Sequence, residues 1–240
     1  MRLIQIKHFI IIDFLLLFSI AIRVFYFNYN PMISRDSSKY YTELSESVSR
    51  DTQKYQAPLL TYFISFLKKD FNAPLSFFIS FNIVINSMLP IIVFYMCMRI
   101  GLSARESICV AIIFEVHPTL VRLSLQVQRE NLYLLFILLF FLFSVAPTKK
   151  KMCNILSGLF AGLGTMTRIE AIELIPMYFL LSNYFCDTNN IKTRIKQISI
   201  AFFWFIIPFF LIIVFFVLYL NYSYDDFLFL IYNNIQRRIF

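Results

Sequence analysis

ISIAFFWFIIPFFLIIVFFVLYL, residues 198–220, contains no charged side chain. At 1.5 Å per residue a helix of this length crosses a hydrocarbon layer about 30 Å thick. The rest of the chain has the same character. Of its 240 residues 59% are hydrophobic and 19% aromatic, and only 15% are charged, against about 25% in a typical soluble domain. That much apolar surface exceeds what one small core encloses, so most of it must face lipid or neighbouring helices. A soluble globular domain, a disordered chain and a disulfide-stapled secreted fold are thereby excluded.

Working outward from residues 198–220, further apolar runs lie at about 169–186, 152–167, 131–146, 106–117, 75–98 and 9–27. The expected fold is all-α: a polytopic membrane helical bundle of about seven transmembrane helices, forming a single integral membrane domain over residues 1–240. Arg2 and Lys7 precede the first run and no small-residue cleavage site follows it, which favours a retained helix over a signal peptide. Within that run, Arg23 reads as a side chain snorkelling to the interface and Asp13 as one facing other helices.

Residues 28–73 change character, with Ser, Asn, Tyr and charges of both signs. Their one apolar piece, 57–67, is too short to cross. Tyr41, Leu44 and Val48 fall on one helical face, so 37–50 reads as an amphipathic helix lying along the interface. The segment is expected to be an extracytoplasmic loop carrying interfacial helices.

The formal charge of +8 sits in short clusters between the apolar runs and forms no single basic face. That distribution reports membrane orientation, and no nucleic-acid partner is expected. With the N-terminus inside, the inner segments hold Arg2, Lys7, Arg99, Arg105, Lys149, Lys150, Lys151, Lys192, Arg194 and Lys196. The short outer segments hold Arg122, Arg129 and Arg168. Cys97, Cys109, Cys153 and Cys186 then fall near inner helix ends and read as buried reduced thiols with no metal spacing.

Ionisable groups near membrane level are costly and usually functional. Three sets fall on the expected outer side: Asp36, the stretch from Glu115 to Glu130, and Arg168 with Glu170 and Glu173. Each also has a structural reading. Asp36 suits the N-cap of the amphipathic helix. Arg129 and Glu130 suit an interfacial helix start. Arg168 suits a headgroup anchor, and His117, before Pro118, a helix end.

Taken together, their order resembles a known family. Arg35-Asp36-Ser37-Ser38-Lys39-Tyr40 is followed by Gln56-Ala57-Pro58-Leu59-Leu60-Thr61-Tyr62. His117-Pro118 leads on to Arg129-Glu130-Asn131-Leu132-Tyr133, and Ser157-Gly158-Leu159-Phe160-Ala161-Gly162-Leu163-Gly164 ends in Thr165-Met166-Thr167-Arg168-Ile169-Glu170. This series resembles the C-superfold membrane glycosyltransferases, closest to the protein mannosyltransferase-like and aminoarabinose transferase-like group.

The resemblance implies sugar transfer from a polyprenyl-phosphate-linked donor to an acceptor hydroxyl at the extracytoplasmic face of the cell (inner) membrane. The acceptor is a glycan, lipid or protein, and membrane lipids surround the chain. Asp36 is the expected base, with Glu130 orienting the acceptor or assisting. Arg168, Arg129 and Arg122 are the expected phosphate-binding cations, because an Arg fork matches phosphate geometry. Glu170, His117 and Tyr40 complete the expected substrate-binding set. No cofactor or metal is expected.

The resemblance also implies that the C-terminal part of the family's usual architecture, further helices and often an outer soluble domain, is absent here. The resemblance therefore admits a partner subunit, or a non-catalytic assembly subunit or degenerate glycosyltransferase, as alternatives. A lipid or solute transporter is a further alternative, and would be expected to carry polar groups near mid-membrane in repeated halves. Gly158 and Gly162 form a small-xxx-small stripe that predicts close helix approach. Asn82 and Asn86, with Pro90 one turn on, predict a polar face on the second span.

Overall fold

The computed structural model describes residues 2–29, 58–72, 74–145, 151–186, 188 and 190–219. The described residues are all helix, turn or loop, with no strand. The helices are α1 (Arg2–Tyr29), α2 (Pro58–Phe71), α3 (Leu75–Arg99), α4 (Ala104–Glu115), α5 (Pro118–Ser124), α6 (Arg129–Ser144), α7 (Lys151–Thr167), α8 (Leu174–Tyr184) and α9 (Ile191–Tyr219). A 3-10 segment, Ile169–Glu173, joins α7 to α8.

Three of these are long and apolar enough to cross a membrane. They are Phe9–Tyr26 in α1, with mean hydropathy 2.3, Leu75–Arg99 at 2.1, and Ile191–Phe216 at 2.8. A fourth is counted if α4 and α5, bent by 63° at a short break, form one broken span. Seven crossings are not shown among the described residues. The remaining runs became helices of 16 (α6), 17 (α7) and 11 (α8) residues, below the roughly 20 that a crossing takes. The amphipathic helix expected at 37–50 lies outside the described residues.

The helices group into two compact units. The first comprises α1, the part of α2 from Ile64 onward, α3, α4, α5 and the opening turn of α6. Here α3 packs against both α1 and α4. Leu15, Phe94 and Ala111, one from each helix, form the buried centre. Local chemistry sets the turn between α3 and α4. Gly101 takes φ 99°, a conformation that glycine adopts without a Cβ penalty.

Gly101 N–H donates to the Met98 carbonyl at 3.3 Å and Leu102 N–H to the Cys97 carbonyl at 3.1 Å, the paired bonds of a Schellman stop. Ser103 then starts α4 with a capping box. Its hydroxyl accepts from Glu106 N–H at 3.4 Å, while Glu106 Oε2 accepts from Ser103 N–H at 2.8 Å. Ser103→Ala is expected to cost about 1 kcal/mol, read as a lower unfolding midpoint in detergent.

The helix α4 ends because residues before proline avoid the helical region; His117, before Pro118, is extended at ψ 119°. Two readings of α1 are corrected. Asp13 is exposed among the described residues. Arg23 does not snorkel: it is buried, at 1% exposure, in an ion pair described below.

The second unit comprises the rest of α6 with α7, α8 and α9. The glycine stripe does what its spacing predicts. A Cβ at Gly158 would run into the Phe205 carbonyl, and one at Gly162 would meet Phe209 O and Ile212 Cβ at 3.1 Å. These contacts advance in the same direction along both helices, so α7 and α9 run parallel in close contact.

Phe140, Tyr178, Phe205 and Phe209 form the buried aromatic centre. The Tyr178 ring stacks on Phe205 at 4.1 Å. Burial leaves its hydroxyl to be satisfied internally, and it donates to Asn154 Oδ1 at 2.7 Å. At the start of α7 the Lys151 ammonium sits 3.6 Å over the Trp204 ring. The cysteine reading is also corrected: Cys97 is buried, but Cys109 is exposed and Cys153 and Cys186 are half-buried, all as free thiols.

Candidate functional site

In the second unit, polar chemistry gathers where α7 breaks. Gly164 allows this break to fold back: a Cβ there would stand 3.3 Å from Ala171 Cβ and 3.7 Å from Phe136 Cβ. Thr165 and Thr167 turn their hydroxyls onto the Ala161 and Leu163 carbonyls, both at 2.9 Å, and take no part in the break. Arg168 leaves the helix with extended backbone at φ −148° and ψ 125°.

Its guanidinium is fixed from two sides. Glu170 accepts from Nη2 at 3.2 Å and from Nε at 3.4 Å, a forked carboxylate pairing. The Tyr133 ring lies 5.4 Å away and attracts the cation through its face. The C-terminal end of α7 adds the negative end of a helix dipole. Arg168 remains 27% exposed and Glu170 19%, so a fixed cation is presented at a helix break without being sealed in.

The other expected residues divide as follows. In the first unit Arg129 and Glu130 stand together on the opening turn of α6, 3.6 Å apart and partly exposed. Arg122, in the last turn of α5, and His117, at its N-terminus, are exposed, and the His117 side chain does not cap the helix. Asp36 and Tyr40 lie outside the described residues. The structure thus pairs Arg168 with Glu170 and Arg129 with Glu130.

The sequence reading missed the most buried charges. Arg23 Nη1 donates to Glu115 Oε1 and to the Ser19 hydroxyl, which itself donates to Glu115 Oε1 at 2.8 Å. Arg23 Nη2 donates to the Asn86 carbonyl at 3.2 Å. The available signal was a lone Arg and a lone Glu near the same expected end of two apolar runs, since intramembrane charges commonly pair with one another.

With such apolar spans among its described helices, the chain is an integral membrane protein. Residues 55–218, more than half of the chain, match the family described as dolichyl-phosphate-mannose-protein mannosyltransferase, and the chain belongs to that family. It is a membrane glycosyltransferase of the mannosyltransferase type. The comparisons with curated proteins and with solved structures gave no match. The matched range takes in His117, Arg122, Arg129, Glu130, Arg168 and Glu170 and begins after Asp36 and Tyr40.

Proposed function

We propose that the chain transfers a sugar from a polyprenyl-phosphate-linked donor to an acceptor hydroxyl at the extracytoplasmic face of the membrane. The observation that carries this reading is the Arg168 guanidinium, held by Glu170 and Tyr133 at the break after α7, within a chain of the mannosyltransferase family. A lipid-linked donor keeps its tail in the bilayer and its anomeric carbon at the surface, so a cation at a helix break meets its phosphate at the right level.

In the proposed reaction Asp36 takes the proton of the acceptor hydroxyl as its oxygen attacks the anomeric carbon. The bond to the phosphate oxygen breaks, and polyprenyl phosphate departs with the electron pair. Arg168 neutralises the departing charge, with Arg129 and Arg122 as further cations, and Glu130 orients the acceptor. Glu170 fixes the Arg168 fork and yields bonding positions to phosphate oxygens when donor binds. His117 and Tyr40 are assigned to substrate contact. The acceptor is a glycan, lipid or protein.

The test is transfer of labelled sugar from polyprenyl-phosphate donors by the full chain in membranes. Asp36→Asn is expected to lower turnover by about 10²- to 10⁴-fold as loss of a general base. Arg168→Ala is expected to lower it by about 10²- to 10³-fold as loss of a preorganised electrostatic contact. Unchanged transfer in both variants overturns the site. Failure of the wild-type chain to bind any such donor favours a non-catalytic assembly subunit.

A further inference from the structure

Buried charges that the proposed reaction does not use occupy the first unit, and they are joined to a larger network. From the Arg23–Glu115 pair the path passes to α3 through the Asn86 carbonyl, which accepts from Arg23. One turn along α3, Asn86 Nδ2 donates to the Asn82 carbonyl at 2.8 Å. Asn82 Nδ2 then donates to the Gln126 carbonyl at 2.7 Å. That same carbonyl accepts from Asn131 Nδ2 at 2.8 Å, and Asn131 also reaches the Leu123 carbonyl at 3.0 Å.

The path therefore runs from α1 and α4, along one face of α3, to the turn that leads from α5 into α6. Arg23, Asn82, Asn86, Glu115, Gln126 and Asn131 are all buried. A turn in an apolar setting needs partners for its freed carbonyls, and two Asn side chains supply them here. This turn immediately precedes Arg129 and Glu130.

We infer that Arg23, held by Glu115, is a positioning residue for sugar transfer: through Asn86 and Asn82 it fixes the 125–128 turn that presents Arg129 and Glu130. This rests on the proposed glycosyltransfer for its kinetic consequence, and on the structure alone for the fixing of the turn. Arg23 touches neither donor nor acceptor in this role. Its effect falls on the orientation of groups that do, where a displacement of about 1 Å costs on the order of 100-fold in rate.

The test uses Arg23→Met/Glu115→Met, which removes both charges together and so avoids a stranded ion, with Asn82→Leu as a second variant that cuts the path without touching the ion pair. Two measurements on the full chain in nanodiscs decide it. Amide hydrogen exchange over residues 123–131 is expected to rise about tenfold or more in each folded variant, while exchange over residues 151–167 stays at the wild-type level. In transfer from a polyprenyl-phosphate sugar, kcat is expected to fall about tenfold to a hundredfold with donor KM little changed.

Unchanged exchange over 123–131 in Asn82→Leu overturns the inference. Raised exchange with unchanged kcat overturns it also, because the network is then a fold element alone. Raised exchange in a protein whose wild type transfers no sugar supports the fixing of the turn and removes the glycosyltransfer reading instead.

Discussion

Glu115→Ala is expected to destabilise the fold by about 3 to 5 kcal/mol, the penalty for stranding one member of a buried ion pair. The reasoning is specific to this site. Arg23 and Glu115 are 1% and 0% exposed, so neither can turn to solvent once its partner is gone. Among the described residues Ser19 is the only other side chain that accepts from Arg23, and it donates its own proton to the same Glu115 oxygen. Arg23→Met is expected to behave alike, leaving the carboxylate with a hydroxyl as its one partner among the described residues.

Replacing both by methionine is expected to recover most of the loss, because well-packed apolar groups substitute for a buried pair at little net cost. Added salt is expected to leave the single variants' deficit unchanged, since screening acts weakly on a buried pair. Thermal unfolding of the full chain in detergent checks all three, and a single variant as stable as wild type contradicts the account.

The second large effect is at Gly158. Gly158→Ala is expected to cost about 3 kcal/mol, at the upper end for overpacking, because the added carbon meets a backbone carbonyl that cannot change rotamer. The only relief is separation of α7 from α9, which breaks the contact on which the second unit is built. The neighbouring glycines set a gradient. Gly162→Ala meets Phe209 O and Ile212 Cβ at 3.1 Å and is expected to lose less; Gly164→Ala meets Ala171 Cβ at 3.3 Å and is expected to lose least. Unfolding midpoints that did not follow this order would contradict the close contacts at these three positions.

The spans were legible because hydrophobic runs are local. The expected 75–98 and 198–220 became Leu75–Arg99 and the greater part of Ile191–Tyr219. The stripe at Gly158 and Gly162 was legible as a close approach, though not the helix approaching it, since α9 lies far along the chain. The unreadable features are the pairings between distant residues. Arg23 and Glu115 are 92 positions apart. Read alone, Arg23 near a helix end looked like a snorkelling side chain, and only its neighbours in space show it is sealed.

Cys109 and Asp13 were misjudged for a related reason. Helix identity follows from composition, but the side that faces lipid follows from packing, and uniformly apolar helices carry little amphipathic signal to orient them. The family was readable in the order of residue types, as the match over 55–218 shows. That Glu170 would clasp Arg168 was not, because it depends on α7 ending in a 3-10 turn.

The pairing of Lys151 with Trp204 gives the second unit a built-in optical gauge. Trp204 is the sole tryptophan of the chain, so ultraviolet emission excited through indole comes from one known place. An ammonium stands 3.6 Å above that ring, donated by the first residue of the neighbouring α7. Any slippage between the two parallel rods changes the field on the fluorophore, and colour and brightness report it with no dye attached.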